Sequence, residues 1–111
     1  VYKLWWDNGN KREESNYIRD NIKDGLSKEW SIDGKDSMQV IYKDGEIWEG
    51  THKAWYYEKP QSETTYKKGE KHGLSRHWGN FGNELEKEEL WKNGELKKTK
   101  FYENGELIKE E

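Results

Sequence analysis

Three histidines, His52, His72 and His77, are the side chains here best suited to hold a metal or to move a proton near neutral pH. His72 and His77 stand five apart, and on an extended strand such residues face opposite ways, so the pair does not share an ion. Ser75 and His77, two apart, fall on one face like a nucleophile and its base. An earlier copy of the same segment has Ser27 at the matching place and Glu29 in place of the histidine, so the serine reads as structural. No oxyanion motif accompanies the pair. Carboxylates abound, as in Glu13-Glu14 or Glu86, Glu88 and Glu89, but a glycosidase needs two of them across a deep cleft. These residues lead us to expect no enzymatic activity, with no catalytic residues, metal or cofactor.

The aromatic residues carry more information. Trp5, Trp30, Trp55, Trp78 and Phe101 recur at intervals of 25, 25, 23 and 23, and Tyr17, Tyr42, Tyr66 and Trp91 at 25, 24 and 25. Such periods mark a repeat architecture, which presents an extended surface. Both series are expected to form a ladder of rings that is the core. Trp6, Trp48, Tyr56 and Tyr57 stand outside the two series and are free to contact something else.

Glycine turns position these rings. Each first-series ring except Trp55 is followed four residues later by a glycine, and five turns are Asn-Gly or Asp-Gly: residues 8–9, 33–34, 44–45, 93–94 and 104–105. Glycine takes positive φ freely and Asn or Asp tolerates it, so these dipeptides close tight hairpins. The segments between turns are strand-length and too short for stable helices. Gly25, Gly50 and Gly73 each precede a tryptophan by five residues, away from the hairpin tips, and predict a bulge or a close backbone approach between successive hairpins, which would make the sheet twist and coil. The fold expected is all-β: an antiparallel meander of repeated β-hairpins, about ten strands in a single elongated twisted sheet. One repeat domain covers 1–111, in units of about 1–24, 25–49, 50–72, 73–96 and a partial 97–111.

Only 30% of the residues are apolar and 39% are charged, which borders on the composition of disordered chains. Seven Trp and seven Tyr decide for a folded chain with a small core. The net charge of −3 supplies no basic field for nucleic acid or anionic lipid. With no cysteine there is no thiol chemistry, and no apolar run is long enough to span a bilayer as a helix.

The segments Tyr42-Lys43-Asp44-Gly45-Glu46, Trp91-Lys92-Asn93-Gly94-Glu95 and Tyr102-Glu103-Asn104-Gly105-Glu106 alternate with Gly25-Leu26-Ser27 and Gly73-Leu74-Ser75, each of the latter leading to a tryptophan. From Trp5 to Glu106 this pattern resembles the MORN-repeat variant of bacterial YwqK-type proteins, a family described as antitoxin or immunity-like. The chain departs from the pattern at Thr51, in place of the leucine, at Pro60, in place of a turn glycine, and at Asp20-Asn21.

The resemblance implies a binding scaffold with no catalytic residues to carry over. It also implies a cognate protein toxin, such as a nuclease, as partner. The free chain would be a monomer, or half of a toxin–immunity heterodimer, without direct nucleic-acid or membrane contact. Cytoplasmic residence is expected, with an earlier removal of a signal segment left open by the start at Val1. The partner surface is assigned to Trp48, Glu46 and Glu49 beside the irregular third unit, together with Tyr57 and Trp6, because Trp and Tyr anchor interfaces. The alternative is a carbohydrate-binding repeat module of an exported or surface protein, using exposed rings as stacking platforms.

Overall fold

The computed structural model describes residues 2–19 and 22–111. Ten strands follow one another: β1 Tyr2–Trp5, β2 Lys11–Arg19, β3 Ile22–Trp30, β4 Ser37–Lys43, β5 Glu46–Tyr56, β6 Lys59–Lys67, β7 Glu70–Gly79, β8 Glu84–Lys92, β9 Glu95–Glu103 and β10 Glu106–Glu110. They form one antiparallel sheet in sequence order, an open meander as the turn spacing predicts. The segment Glu84 to Glu89, whose letters also suit a helix, lies in β8.

The connections fall on two edges. One edge carries two-residue turns at Asp44-Gly45, Lys68-Gly69 and Asn93-Gly94, in which both residues have positive φ. That is the type I′ geometry whose twist matches paired strands. The turn expected at Asp20-Asn21 lies outside the described residues. Each of these turn glycines also donates its N–H to the preceding hairpin, to the carbonyls of Lys23, Trp48 and Lys71, all at 2.9 Å. Asp24 Oδ1 and His72 Nδ1 accept the N–H of the following turns, from Asp44 at 3.0 Å and Asn93 at 3.3 Å. His72 thus holds a turn.

The opposite edge carries the longer connections Trp6–Asn10, Ser31–Asp36 and Asn80–Asn83, with shorter ones at Tyr57-Glu58 and Asn104-Gly105. Residues Asn80–Gly82 form a tight turn in which all three have positive φ, closed by the Asn83 N–H donating to the Asn80 carbonyl at 3.1 Å. Gly25, Gly50 and Gly73 have φ of +88°, +114° and +87° within their strands, and the sheet register shifts in the hairpins that contain them. Gly25 and Gly73 lie inside bulged stretches, Lys23–Ser27 and Lys71–Ser75, whereas Gly50 pairs in register with Val40 against closely approaching backbone and the extra residue of its hairpin is Trp48.

The core differs from the expected ladder of rings. Trp5 is 53% exposed and Tyr17 is also exposed, while Trp30, Trp55, Trp78, Tyr42, Tyr66 and Trp91 are only half-buried. Full burial goes instead to Val40, Met38 and small polar residues, Ser15, Ser27, Ser31, Ser75 and Thr99. The cause is positional. The first-series tryptophans of β3, β5 and β7 stand at or near the strand ends at the long-loop edge, and the second-series rings near the short-turn edge, leaving the middle of the sheet to the residues between them.

That middle is one continuous row, because cross-strand partners share a face: Ser15, Ser27, Val40 and Gly50, then His52, Thr64, Ser75, Glu89 and Thr99. Ser15 and Ser27 hydroxyls meet at 2.5 Å, Thr64 and Ser75 at 2.8 Å. Lys23 roofs part of the row, its ammonium 3.3 Å from Glu13, 3.9 Å from Glu29 and 5.1 Å from the Tyr42 ring centroid. The other face carries an ion ladder, in which Lys53 links Asp36 and Glu63 at 3.0 and 4.0 Å and Arg76 links Glu63 and Glu88 at 3.7 and 2.9 Å. Leu26 and Leu74 lie exposed on this second face, and Thr51, at the equivalent place, bonds Thr65 hydroxyl to hydroxyl at 2.9 Å.

Candidate binding surface at the long-loop edge

Tyr56 ends β5 and Tyr57 begins its turn with φ of 55°. Asn80 and Phe81 follow each other at φ of 49° and 57°. For a bulky side chain this left-handed region is a true outlier, disfavoured by roughly 1–2 kcal/mol per residue. The surrounding packing enforces it. A Cβ on Gly82 would lie 2.5 Å from the Cβ of Lys59 and 2.7 Å from the Pro60 carbonyl, so the left-handed turn is docked directly on the start of β6. The irregular Lys59-Pro60 is therefore the seat of this turn. It sets Phe81 5.2 Å from the Tyr56 ring, which meets the Tyr57 ring edge-on at 4.9 Å. Tyr57 and Phe81 remain 64% and 67% exposed. Strained backbone that holds large rings out into water is characteristic of functional sites.

Beside this cluster runs a groove of about 500 Å³ whose lining includes Trp6, Arg12, Glu29, Trp30, His52 and Trp55 together with Tyr56 and Tyr57 of the cluster. Each ring is fixed. Trp6 Nε1 donates to the Trp30 carbonyl at 3.1 Å, and Trp55 Nε1 to Asp36 Oδ2 at 2.8 Å. The Arg12 guanidinium lies 4.4 Å from the Trp6 ring centroid and the Lys11 ammonium 5.7 Å from that of Trp30. Burial, and secondarily the charge of Lys23, hold the His52 imidazole below its ordinary 6.5. Burial raises the Glu29 carboxyl above 4.5 against the pull of Lys23. Among the described residues no hydrogen bond joins Glu29 to His52, and no group of three or more His, Asp or Glu is placed to hold a metal. His77 bonds Glu89 at 3.1 Å on the face of the serine row, so it is engaged across strands and not with Ser75.

The residues expected from sequence to form one partner surface divide between the two edges. Trp6 and Tyr57 line the groove. Glu46 opens β5 at its far end, with Trp48 and Glu49 close by, and the eleven residues of that strand separate its ends by roughly 33 Å. Trp48 is the extra residue of a bulge, between Ile47, paired with Tyr42, and Glu49, paired with Ile41. It occupies the place where Lys23 and Lys71 reach over Tyr42 and Trp91 in neighbouring hairpins, and here the roles reverse, with Lys43 4.4 Å over the Trp48 ring. A shallow depression joins Trp48 to Glu46 but does not reach the groove. Glu49 takes the position of Asp24 and His72 before the in-strand glycine.

Phe81 was not legible as a site residue. Its signal was the spacing of Trp78 to Gly82, which marks a turn but not the conformation of the ring before the glycine. Comparison with known protein families, curated proteins and solved structures finds no match.

Proposed function

We propose that this chain is a non-enzymatic protein-binding module, an immunity protein or antitoxin that neutralises a cognate bacterial toxin in the cytoplasm by covering it. One observation carries the reading: Tyr56, Tyr57 and Phe81 are clustered, Tyr57 and Phe81 are held outward on strained backbone, and the cluster adjoins a tryptophan-lined groove. Rings of this size bury about 150–250 Å² each, and Trp and Tyr dominate the energetics of interfaces. The open sheet supplies a broad surface around them, the resemblance to immunity-like repeats supplies the class of partner, and Trp6 and Tyr57 supply the anchors. Trp48, Glu46 and Glu49 form a separate patch at the far edge.

The test is to mix the chain with the product of the adjacent reading frame. A stable complex that suppresses the partner's toxicity supports the proposal, and the absence of any retained protein partner refutes it. A second reading has its own support, since Trp6, Trp30 and Trp55 with Glu29 and His52 give the groove both stacking faces and polar groups, as a sugar site requires. Quenching of tryptophan fluorescence by a neutral polysaccharide, with no protein partner bound, would select it.

A further inference from the structure

Asparagine is followed by glycine at three places, residues 8–9, 93–94 and 104–105. Such a step can close on itself, because glycine has no side chain to obstruct its own nitrogen as that nitrogen approaches the carbon of the asparagine amide. Two of the three are tied shut. Gly9 donates its N–H to the Trp6 carbonyl at 3.0 Å, while the Asn8 amide is held at both ends, Nδ2 donating to the Ile32 carbonyl at 2.8 Å and Oδ1 accepting the Asn10 N–H at 2.9 Å. Gly94 donates to the Lys71 carbonyl at 2.9 Å. The Gly105 N–H has no acceptor among the described residues, and a Cβ there would meet nothing within 4 Å.

The 93–94 turn is the closest counterpart of the 104–105 turn. Both read Asn-Gly-Glu-Leu, and their φ angles agree, 49° and 82° in the first against 52° and 80° in the second. The neighbouring hairpin makes the difference. At 93–94 it takes the Gly94 N–H on Lys71 and the Asn93 N–H on His72 Nδ1 at 3.3 Å, and it places Glu70 3.6 Å from where a Gly94 Cβ would lie. A hydrogen bond that holds a neutral N–H disfavours loss of its proton, and a latched turn opens less often.

We propose that Asn104 is a site of spontaneous covalent modification, a succinimide-forming asparagine that converts to aspartyl and isoaspartyl products. Gly105 gives its amide proton to solvent base, its nitrogen bonds to Asn104 Cγ, and the Cγ–Nδ2 bond breaks, the nitrogen taking a proton from water and leaving as ammonia. Water then opens the cyclic imide. Addition at Cγ gives aspartate, and addition at the main-chain carbonyl carbon gives isoaspartate, whose backbone runs through the former side chain. Water is the sole co-reactant. Either product sets a new carboxylate between Glu103 and Glu106 in sequence, on the edge that also carries Tyr57 and Phe81. The age of the molecule is thereby written into the charge of that edge.

The full chain is held in mildly alkaline buffer, and a parallel sample in guanidinium chloride. Digests taken over time are read by mass spectrometry, with electron-transfer fragmentation to separate isoaspartate from aspartate. In the folded chain Asn104 is expected to convert about fivefold faster than Asn93, or more, since one amide hydrogen bond changes an equilibrium by about that factor. In denaturant, where neither turn is latched, the ratio of the two rates is expected to drop to the value that their flanking residues set. Equal rates at the two sites in the folded chain overturn the inference, as does a folded preference no greater than that in denaturant. So does an Asn104 still intact in the folded chain when the denatured chain has converted fully.

Discussion

Gly50 differs from the other two in-strand glycines in what surrounds it. A Cβ there would fall 2.7 Å from the Gln39 carbonyl oxygen and 3.1 Å from the Val40 Cα, both backbone, whereas at Gly73 it would meet nothing within 4 Å. Gly73→Ala therefore incurs only the positive-φ penalty, about 1 kcal/mol. Gly50→Ala adds a backbone clash and is expected to cost at least about 2 kcal/mol more, measured as the difference in urea unfolding free energy. Equal losses would show that conformation alone selects glycine at both places. His52 makes a pH-dependent prediction. Its folded pKa lies below the ordinary 6.5, so its contribution is present above 6.5 and lost as pH falls through the folded value. Glu29, raised above 4.5, runs the other way, its contribution present below 4.5 and lost as pH rises through the folded value. On going from pH 7 to pH 5, the urea midpoint of His52→Gln is expected to fall less than that of the parent chain, and parallel curves would exclude His52 as the source.

Hairpins are the elements that the sequence announces most clearly, because the turn chemistry is local. Asp44, Asn93 and Asn104 each precede a turn glycine and each adopts the positive φ that Asn and Asp tolerate. Lys68 adopts the same φ of 52° without that tolerance. Lys68→Asn is expected to stabilise the chain by roughly 0.5–1 kcal/mol, visible as a higher melting temperature with an unchanged sheet spectrum. The in-strand glycines were legible for the same local reason. Burial was not, because ring spacing reports position along a strand and not which part of a coiled sheet closes over itself. Ser27 and Ser75 could be recognised as repeating and structural, but nothing in a serine's letter says that its hydroxyl meets another across the sheet. The candidate surface was half legible: Trp6 and Tyr57 stood out as rings outside the repeat, while Phe81 depends on a turn whose docking against Lys59-Pro60 is a contact between units.

The whole molecule is thin, 44 × 34 × 18 Å, with a radius of gyration of 15.4 Å. A compact domain of this length would have a radius of roughly 13 Å. Its accessible surface of 7467 Å² exceeds the roughly 6,500 Å² expected for a globular chain of 13.4 kDa. Only Met38 and Val40 are fully buried apolar side chains among the described residues. Unfolding therefore exposes little new apolar area, and calorimetry is expected to give a heat-capacity change below about 1.3 kcal/mol/K, the low end for a globular chain of this length. A value at or above that figure would mean that the sheet is covered in solution, by a second copy or by tighter coiling.

The Gly45, Gly69 and Gly94 latches join each hairpin only to the one before it, and every strand pairs only with its sequence neighbours. Unequal recombination that deletes or duplicates one such segment leaves every remaining joint as it was. Array length is thus free to drift between lineages, while the strained aromatic corner, built once from two particular hairpins, must be inherited intact.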